Sequence, residues 1–287
     1  IIAAGHICID ITPLFEGGKC ENVSDLLVPG RLEHVGAADI HTGGSVANTG
    51  LAMKILGADV SLMGKVGDDA FGRMILNILD QYDAGGGMIV DKDSSTSYSA
   101  VIAIPGIDRI FLHNPGANDT FTGKDLDLSL IKEAALFHFG YPPIMAQMYA
   151  AGGGELVRIF KTVKEAGCMT SMDMAAVDEQ SEAGRADWES ILEKTLPYVD
   201  FFLPSIEEVC YMLDKDKYHA LQKKAEGRDV TEALSIEEDA APLADRILQM
   251  GCKLAIIKCG AAGFYYKTGK KEAFEELEKR SGLDFST

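Results

Sequence analysis

The sequence lacks the short motifs that would identify a nucleotide site or a hydrolytic site at first sight. Its 287 residues contain no GxxxxGK(S/T) phosphate loop, no GxGxxG turn after the first apolar run, no HExxH and no GxSxG. Each of these motifs fixes particular groups at the end of a strand or a helix. Any ligand is therefore bound by another arrangement, and the missing GxGxxG counts against a nicotinamide-dependent oxidoreductase.

The sequence also has little positive charge and no long hydrophobic run. Lys and Arg together number 27 against 44 for Asp and Glu, so the formal net charge is −17. Binding to the phosphate backbone of nucleic acid needs a basic surface, and this balance predicts no nucleic-acid partner. No segment reaches the roughly 18 uninterrupted apolar residues of a membrane span, so we expect no membrane partner. An anionic ligand must then meet a local positive site.

Cysteines are few and dispersed along the chain. The six lie at positions 8, 20, 168, 210, 252 and 259, and they form no CxxC pair. This pattern favours reduced thiols over a disulfide framework or a zinc site. We therefore expect a cytoplasmic protein.

What the sequence does contain is a repeated alternation of amphipathic and apolar segments. VANTGLAMKIL reads as a helix before the apolar DVSLMGKVG, and ELVRIFKTVKEAG places Leu156, Ile159, Phe160 and Val163 on one face before CMTSMDM. The order recurs in WESILEKTLPYV before DFFLP, and in PLADRILQMG before CKLAIIKCG. Helix-then-strand units of this length predict an α/β fold with parallel strands, and ligands collect at the carboxyl ends of such strands.

Two regions interrupt this alternation. Residues 11–42 contain the turn-prone segments GGK and PGR without a convincing helix, and residues 97–113 read as two strands joined around Pro105 and Gly106. Such patterns are typical of hairpins. Together these regions predict a small antiparallel flap, whose exposed edge strands are candidates for a dimer contact.

A glycine-rich segment at residues 41–72, HTGGSVANTGLAMKILGADVSLMGKVGDDAFG, is the strongest local signal. Gly43 and Gly44 allow the backbone to approach a ligand closely, and Asn48 lies in the first turn of the following helix. A glycine-rich turn into a helix would explain the glycines. It would not explain Asn48 or the following GKVGDDAFG.

The order of these residues resembles the PfkB, or ribokinase-like, family of carbohydrate kinases. The first signature of that family is matched by Gly43, Gly44, Asn48, Gly57 and Gly67, and the resemblance runs from GHICID to KCGAAGFYY. It implies a ribokinase-like three-layer α/β sandwich with a mostly parallel central sheet and a small antiparallel β lid.

The resemblance also bears on domain organisation. It implies one α/β kinase domain over residues 1–287, with residues 11–42 and 97–113 as the inserted lid. The family's proton acceptor is an aspartate in a Gly-Ala-Gly-Asp turn, and no such turn follows Gly263. Either the chain lacks the C-terminal part of the domain, with the base beyond Thr287, or it is a relative that binds sugar without phosphorylating it. We expect the first, because losing part of the sheet would expose apolar surface.

The resemblance assigns a sugar subsite to the first half of the chain. Asp10 in GHICID matches the family's aspartate that binds sugar hydroxyls, and Gly43, Gly44 and Asn48 match the rest of that subsite. A carboxylate suits this role because it accepts two hydroxyl hydrogen bonds and so orients the sugar. An ordinary turn at a strand end is the alternative explanation for Asp10.

The segment NPGANDTFTG, which begins at Asn114, raises the question of whether Asp119 is a catalytic base. Its GANDTF part looks like the Gly-Ala-Gly-Asp signature, but it lies in the middle of the chain. HNPGAND matches instead the family's His-x-Pro-Gly-Ala-Asn loop, which follows the lid strands and borders the sugar. The resemblance therefore implies that His113 and Asn114 contact the sugar and that Asp119 is a turn or N-cap residue.

Two later segments resemble the family's nucleotide site. PSIEE lies where the family has Asn-x-x-Glu, so Glu208 is expected to act on Mg²⁺ through water, and Ser205 replaces the asparagine. The same residues also form a capping-box pattern, which is compatible with that role. In IIKCGAAGFYY, Lys258, Gly260 and Gly263 match the strand, turn and strand that hold the nucleotide.

The resemblance thus implies a kinase that uses ATP and Mg²⁺ to phosphorylate a hydroxyl of a sugar or sugar-like alcohol by in-line transfer. A closing lid would exclude water from the reaction. The alternative is a non-catalytic sugar or nucleoside binding protein of the same fold. Adenosine-like nucleosides stay open as substrates, and a homodimer through the lid is the expected assembly.

Overall fold

The computed structural model describes residues 1–225 and 230–282. The strands are β1 (Ile2–Gly5), β2 (Cys8–Pro13), β3 (Ala38–Gly43), β4 (Ser61–Met63), β5 (Lys65–Gly67), β6 (Ile89–Asp91), β7 (Tyr98–Ile102), β8 (Ile110–Asn114), β9 (Leu136–Gly140), β10 (Met169–Asp173), β11 (Phe201–Phe202), β12 (Leu254–Lys258) and β13 (Phe264–Thr268). The helices are α1 (Val23–Leu26), α2 (Ala52–Ile55), α3 (Ala70–Asp80), α4 (Leu128–Glu133), α5 (Ala146–Tyr149), α6 (Gly154–Glu165), α7 (Glu182–Arg185), α8 (Trp188–Thr195), α9 (Ile206–Leu213), α10 (Lys215–Ala225), α11 (Ala241–Gln249) and α12 (Lys271–Ser281).

Seven strands of the described residues form the central sheet, in the order β13-β12-β11-β10-β9-β1-β4. Neighbouring strands are parallel except β12 and β13, which are antiparallel. The predicted helix-then-strand units are present as α6 with β10, α8 with β11 and α11 with β12. A helical crossover returns the chain to the same end of the sheet, and this produces the parallel pairing. The predicted α/β class is confirmed.

Helices cover both faces of this sheet. Ile2 and Ala4 of β1 belong to one apolar core cluster and Ala3 belongs to another, because successive side chains of a strand point to opposite faces. The first cluster contains the buried face of α6, and the second contains that of α3. The three-layer arrangement predicted from the sequence is therefore present. No helix in the described part of the chain is both long and apolar enough to span a bilayer.

A smaller sheet projects from the central one, with the strand order β3-β2-β7-β8. The pairs β2 with β3 and β7 with β8 are antiparallel, whereas β2 and β7 run parallel. Each of its strands overlaps one of the two regions predicted to form the flap, although β2 begins at Cys8, before the first region. The short helix α1 lies between β2 and β3, in a region where the sequence showed no convincing helix.

A buried ionic cluster ties the middle of the central sheet to its neighbouring helix. Asp200, which is fully buried, directly precedes β11. Its carboxylate pairs with the ammonium groups of Lys164 on α6 and Lys253, the latter at 3.1 Å. It also accepts the backbone N–H of Thr170 at 3.0 Å. Asp200 therefore links β10, β11 and the start of β12 to α6.

Candidate functional site

A cavity of about 1160 Å³ lies at the carboxyl ends of the central strands, beneath the smaller sheet. Six of the residues predicted from the sequence line it: Asp10, Gly44, Asn48, His113, Glu208 and Lys258. Gly43, Asn114, Ser205, Gly260 and Gly263 are outside the lining that the described residues provide. The fold therefore brings residues from both ends of the chain into one space.

Asp10 and the glycine pair are packed tightly together on one side of the cavity. A Cβ atom on Gly43 would lie 2.1 Å from Asp10 Oδ2, and one on Gly44 would lie 2.6 Å from His6 Nδ1. Gly44 also has a φ of 83°, in the left-handed region that favours glycine. Gly43 is thus required by its close approach to Asp10 of β2, and Gly44 by its positive φ and its close approach to His6. The Asp10 carboxylate accepts a hydrogen bond from Cys8 Sγ at 3.3 Å.

Asn48 lies in a π-helical turn, Val46–Leu51, which continues directly into α2. π-helical turns are rare and recur at functional sites. The chain enters this turn immediately after Gly44, and the backbone N–H of Asn48 donates to the Gly44 carbonyl at 2.8 Å. The Asn48 side chain lies near the Tyr141 hydroxyl and lowers the pKa of that phenol. This contact crosses from the glycine-rich segment to the end of β9.

The smaller sheet contributes His113 from β8. Its Nδ1 lies 3.0 Å from the hydroxyl of Ser99 on the neighbouring strand β7. Burial lowers the pKa of His113, although the carboxylates of Asp10 and Asp119 act in the opposite direction. The imidazole is therefore neutral at physiological pH, with one donor nitrogen and one acceptor nitrogen. The adjacent Asn114 donates its side-chain amide to Ser95 Oγ at 3.3 Å instead of lining the cavity.

Asp119 lines the cavity and also supports its wall. It lies in a 3₁₀ turn, Gly116–Thr120, and its Oδ1 accepts the backbone N–H of Ala146, the first residue of α5, at 2.7 Å. Burial raises the pKa of its carboxyl group, although the hydrogen bond from Ala146 lowers it. The contact is the one expected of a capping residue, but the helix that it caps is distant in sequence.

The opposite side of the cavity carries a positive charge between two carboxylates. The Lys258 ammonium, at the end of β12, lies 2.6 Å from Asp173 Oδ1, at the end of β10. Burial alone would lower the pKa of Lys258, but the charges of Asp173 and Glu208 raise it. Burial raises the pKa of Glu208 in spite of the nearby Lys258. In an acidic protein, Lys258 is thus a local positive site for an anionic ligand, and Arg109 also lines the cavity.

Glu208 and Ser205 form the capping box that their spacing predicts. Ser205 Oγ accepts the Glu208 N–H at 3.2 Å, and Glu208 Oε2 accepts the Ser205 N–H at 2.6 Å. No group of three or more metal-ligating side chains occurs within residues 1–225 and 230–282. This donor set still fits Mg²⁺, which binds through one or two carboxylates together with water and substrate phosphates. Glu208 and Asp173 are the carboxylates available for that role.

The turn between β12 and β13 contains the two remaining predicted glycines. Gly260 and Gly263 have φ angles of 55° and 103°, and both are exposed. A Cβ on Gly260 would lie 2.7 Å from the hydroxyl oxygen of Thr231, whereas Gly263 has open space around it. The turn lies next to Lys258 in the chain, so its backbone is close to the positive side of the cavity.

Sequence reasoning did not identify four side chains of this site. Tyr141 directly follows β9 and Asp173 is the last residue of β10, whereas His6 lies between β1 and β2 and Ser99 lies on β7. The polar residue that ends CMTSMDM was the available signal for Asp173, since carboxyl ends of parallel strands meet at one edge. The sequence contained no comparable signal for Tyr141.

Comparison with known proteins identifies one protein family along nearly the whole chain. A family model described as pfkB family carbohydrate kinase matches residues 5–280. Fructokinase-1 of Zea mays is 32% identical over 177 residues, which are 60% of this chain and 50% of that protein. The chain therefore spans about half the length of the curated relatives that it matches.

Solved structures show the same fold. A fructokinase from Xylella fastidiosa with bound ATP superposes with a TM-score of 0.68 and 20% identity, covering 93% of this chain and 70% of that one. The fructokinase of Halothermothrix orenii gives a TM-score of 0.64 and 18% identity, covering 96% of this chain and 87% of that one. The ribokinase-like fold and the family match agree, and this chain belongs to the pfkB family of carbohydrate kinases.

Proposed function

We propose that this protein transfers a phosphoryl group from ATP to a hydroxyl of a sugar or sugar-like alcohol. One observation carries the proposal: a single cavity joins the Asp10 and Asn48 side to the Lys258 side. The first side offers acceptors and donors for sugar hydroxyls. The second offers the positive charge that phosphate needs in a protein of net charge −17.

The chemistry follows from these groups. The Asp10 carboxylate accepts hydrogen bonds from two hydroxyls, and neutral His113 adds a directional contact from the lid. Lys258 neutralises charge on the phosphates, and the lid strands exclude water from the transfer. Glu208 and Asp173 would hold Mg²⁺ with water, and the ion would supply charge neutralisation between the phosphates. The acceptor of the hydroxyl proton is not assigned to a residue of this chain.

The relatives support both substrates of the proposed reaction, the sugar and ATP. The family consists of carbohydrate kinases, and two neighbouring structures were solved with ATP. Several curated relatives are named fructokinases, which makes D-fructose the first sugar to test. The activity is a proposal for the whole protein, because the matches span about half of those relatives.

The test is sugar-stimulated ADP formation by the purified full-length protein with ATP and Mg²⁺. We expect D-fructose, or another member of a panel of hexoses, pentoses and nucleosides, to raise ADP formation well above the sugar-free rate. Phosphorylated product is expected in equal amount. Sugar binding without ADP formation would instead identify a non-catalytic binding protein, and it would contradict the kinase proposal.

We infer that residues 1–287 contribute to one α/β kinase domain, with residues 11–42 and 97–113 as its lid. The family match over residues 5–280 and the smaller sheet support this division. The lid carries exposed apolar side chains on its two edge strands, β3 and β8. These are Ile40, Ile110, Phe111 and Leu112.

Exposed apolar side chains on the edge strands of a sheet favour self-association. We expect sedimentation at micromolar concentration to show a dimer, and Phe111→Glu to convert it to a monomer by placing a charge in the contact. Glu substituted at Leu56, an exposed residue far from the lid strands in sequence, is the matched control. A monomeric unsubstituted protein would exclude the lid dimer.

A further inference from the structure

Tyr141 has an unusual backbone conformation at the end of the central strand β9. Its φ and ψ are 67° and 42°, in the left-handed region that non-glycine residues rarely adopt. It also precedes Pro142, and a residue before proline favours an extended conformation. Two other non-glycine residues of the described chain, Asp83 and Ala151, have positive φ, but they are exposed and do not line the cavity.

The surrounding structure holds this conformation in place. The Tyr141 N–H donates to the Asp173 carbonyl at 3.3 Å, and its own carbonyl accepts the Ile144 N–H at 3.1 Å. Pro142 and Pro143, which follow it, are both buried. Unfavourable backbone conformations that are held so firmly cluster at ligand sites. The conformation directs the Tyr141 side chain into the cavity.

The side chain lies where the two sides of the cavity meet. Its hydroxyl lies near the side chain of Asn48, which also lines the cavity, and its ring centroid is 6.3 Å from that of His6. It also interacts electrostatically with Asp173, Lys258 and Glu208. Burial raises the pKa of the phenol. The hydroxyl therefore stays protonated and can donate one hydrogen bond throughout the neutral range.

We propose that Tyr141 positions the substrate: its hydroxyl binds the sugar at the boundary with the phosphate side and orients the reacting hydroxyl toward the phosphoryl donor. The inference rests on the proposed kinase function. Asn48 and Tyr141 then act as a pair, one from the glycine-rich segment and one from β9. Loss of the phenol oxygen should leave the sugar bound more weakly and less well oriented.

Tyr141→Phe separates this role from packing, because it keeps the ring and removes the hydroxyl alone. We expect calorimetric titration to show about tenfold weaker sugar binding, the value of one hydrogen bond in a binding site, with unchanged ATP affinity. We also expect more ADP per sugar phosphate, because water competes better with a misoriented hydroxyl. Tyr82→Phe, at an exposed tyrosine outside the cavity lining, is the control.

D-fructose, D-ribose and adenosine are the probes, and the one that the unsubstituted protein binds most tightly is used for the variants. Tyr141→Asn, which tolerates the left-handed conformation, removes the whole ring and should weaken binding further. Unchanged sugar affinity in Tyr141→Phe overturns the inference, as does an unsubstituted protein that binds none of the probes. Sugar binding that depends on the phenol, without any ADP formation, supports Tyr141 as a binding residue and contradicts the kinase proposal alone.

Discussion

Asp10→Asn is expected to weaken sugar binding about 100-fold, since two charge-assisted hydrogen bonds to sugar hydroxyls are replaced by weaker neutral contacts. A carboxylate offers acceptors on both oxygens. The amide keeps one acceptor and turns the other position into a donor, which opposes a donating hydroxyl. Asp10 lines the cavity on β2, and its side chain is only 21% exposed, so water replaces the lost contacts poorly.

The measurement is calorimetric titration of the purified variant with the sugar that the unsubstituted protein prefers. ATP affinity should stay unchanged, because Lys258 and the β12 turn lie on the other side of the cavity. Asp39→Asn is the matched control, since Asp39 lies on the adjacent strand β3 with a side chain that is 79% exposed. Equal sugar affinities in Asp10→Asn and Asp39→Asn would show that the Asp10 carboxylate does not bind the sugar.

Asp200→Asn is expected to lower the free energy of unfolding by about 3 kcal/mol, the lower end of the range for breaking a buried ion pair. The substitution preserves volume but removes the charge that Lys164 and Lys253 share. The two lysine side chains are 18% and 13% exposed, so water can solvate their unpaired ammonium charges only partly. The hydrogen bond from the Thr170 N–H can still be made by the amide oxygen.

The same cluster predicts how stability depends on pH. Burial alone would raise the pKa of Asp200, but the two lysines and the Thr170 N–H lower it below its ordinary value. A carboxyl group with a depressed pKa in the folded state stabilises the protein above its unfolded pKa of about 3.9. That contribution is lost as pH falls through the lower folded value. The difference in the free energy of unfolding between the unsubstituted protein and Asp200→Asn should therefore become smaller below about pH 4.

Urea unfolding at pH 7 and at successively lower pH values measures both effects. Glu165→Ala is the control, because Glu165 is the residue after Lys164 on α6 and has a side chain that is 68% exposed. This control substitution should change the free energy of unfolding by no more than about 0.5 kcal/mol, as most surface substitutions do. An Asp200→Asn variant as stable as this control would mean that the ionic cluster makes no net contribution to folding.

The sequence by itself determined the layered α/β fold, the tight approach at Gly43 and Gly44 and the capping box at Ser205. Each of these depends on residues close together in the chain: the helical spacing in α6, the glycine pair before a helix, and Ser and Glu three positions apart. Local periodicity, turn chemistry and capping act over a few residues, so they can be inferred without knowing what packs against them.

Only the tertiary structure decided which side chains share the cavity. Asp173 meets Lys258 across 85 positions of sequence, because β10 and β12 end at the same edge with β11 between them. Tyr141 directly follows β9, and its left-handed backbone brings its side chain near Asn48. The side chain of Asn114 instead bonds to Ser95, outside the cavity lining. Such contacts depend on strand order, register and single backbone angles. These are settled by packing over the whole molecule, which no local pattern encodes.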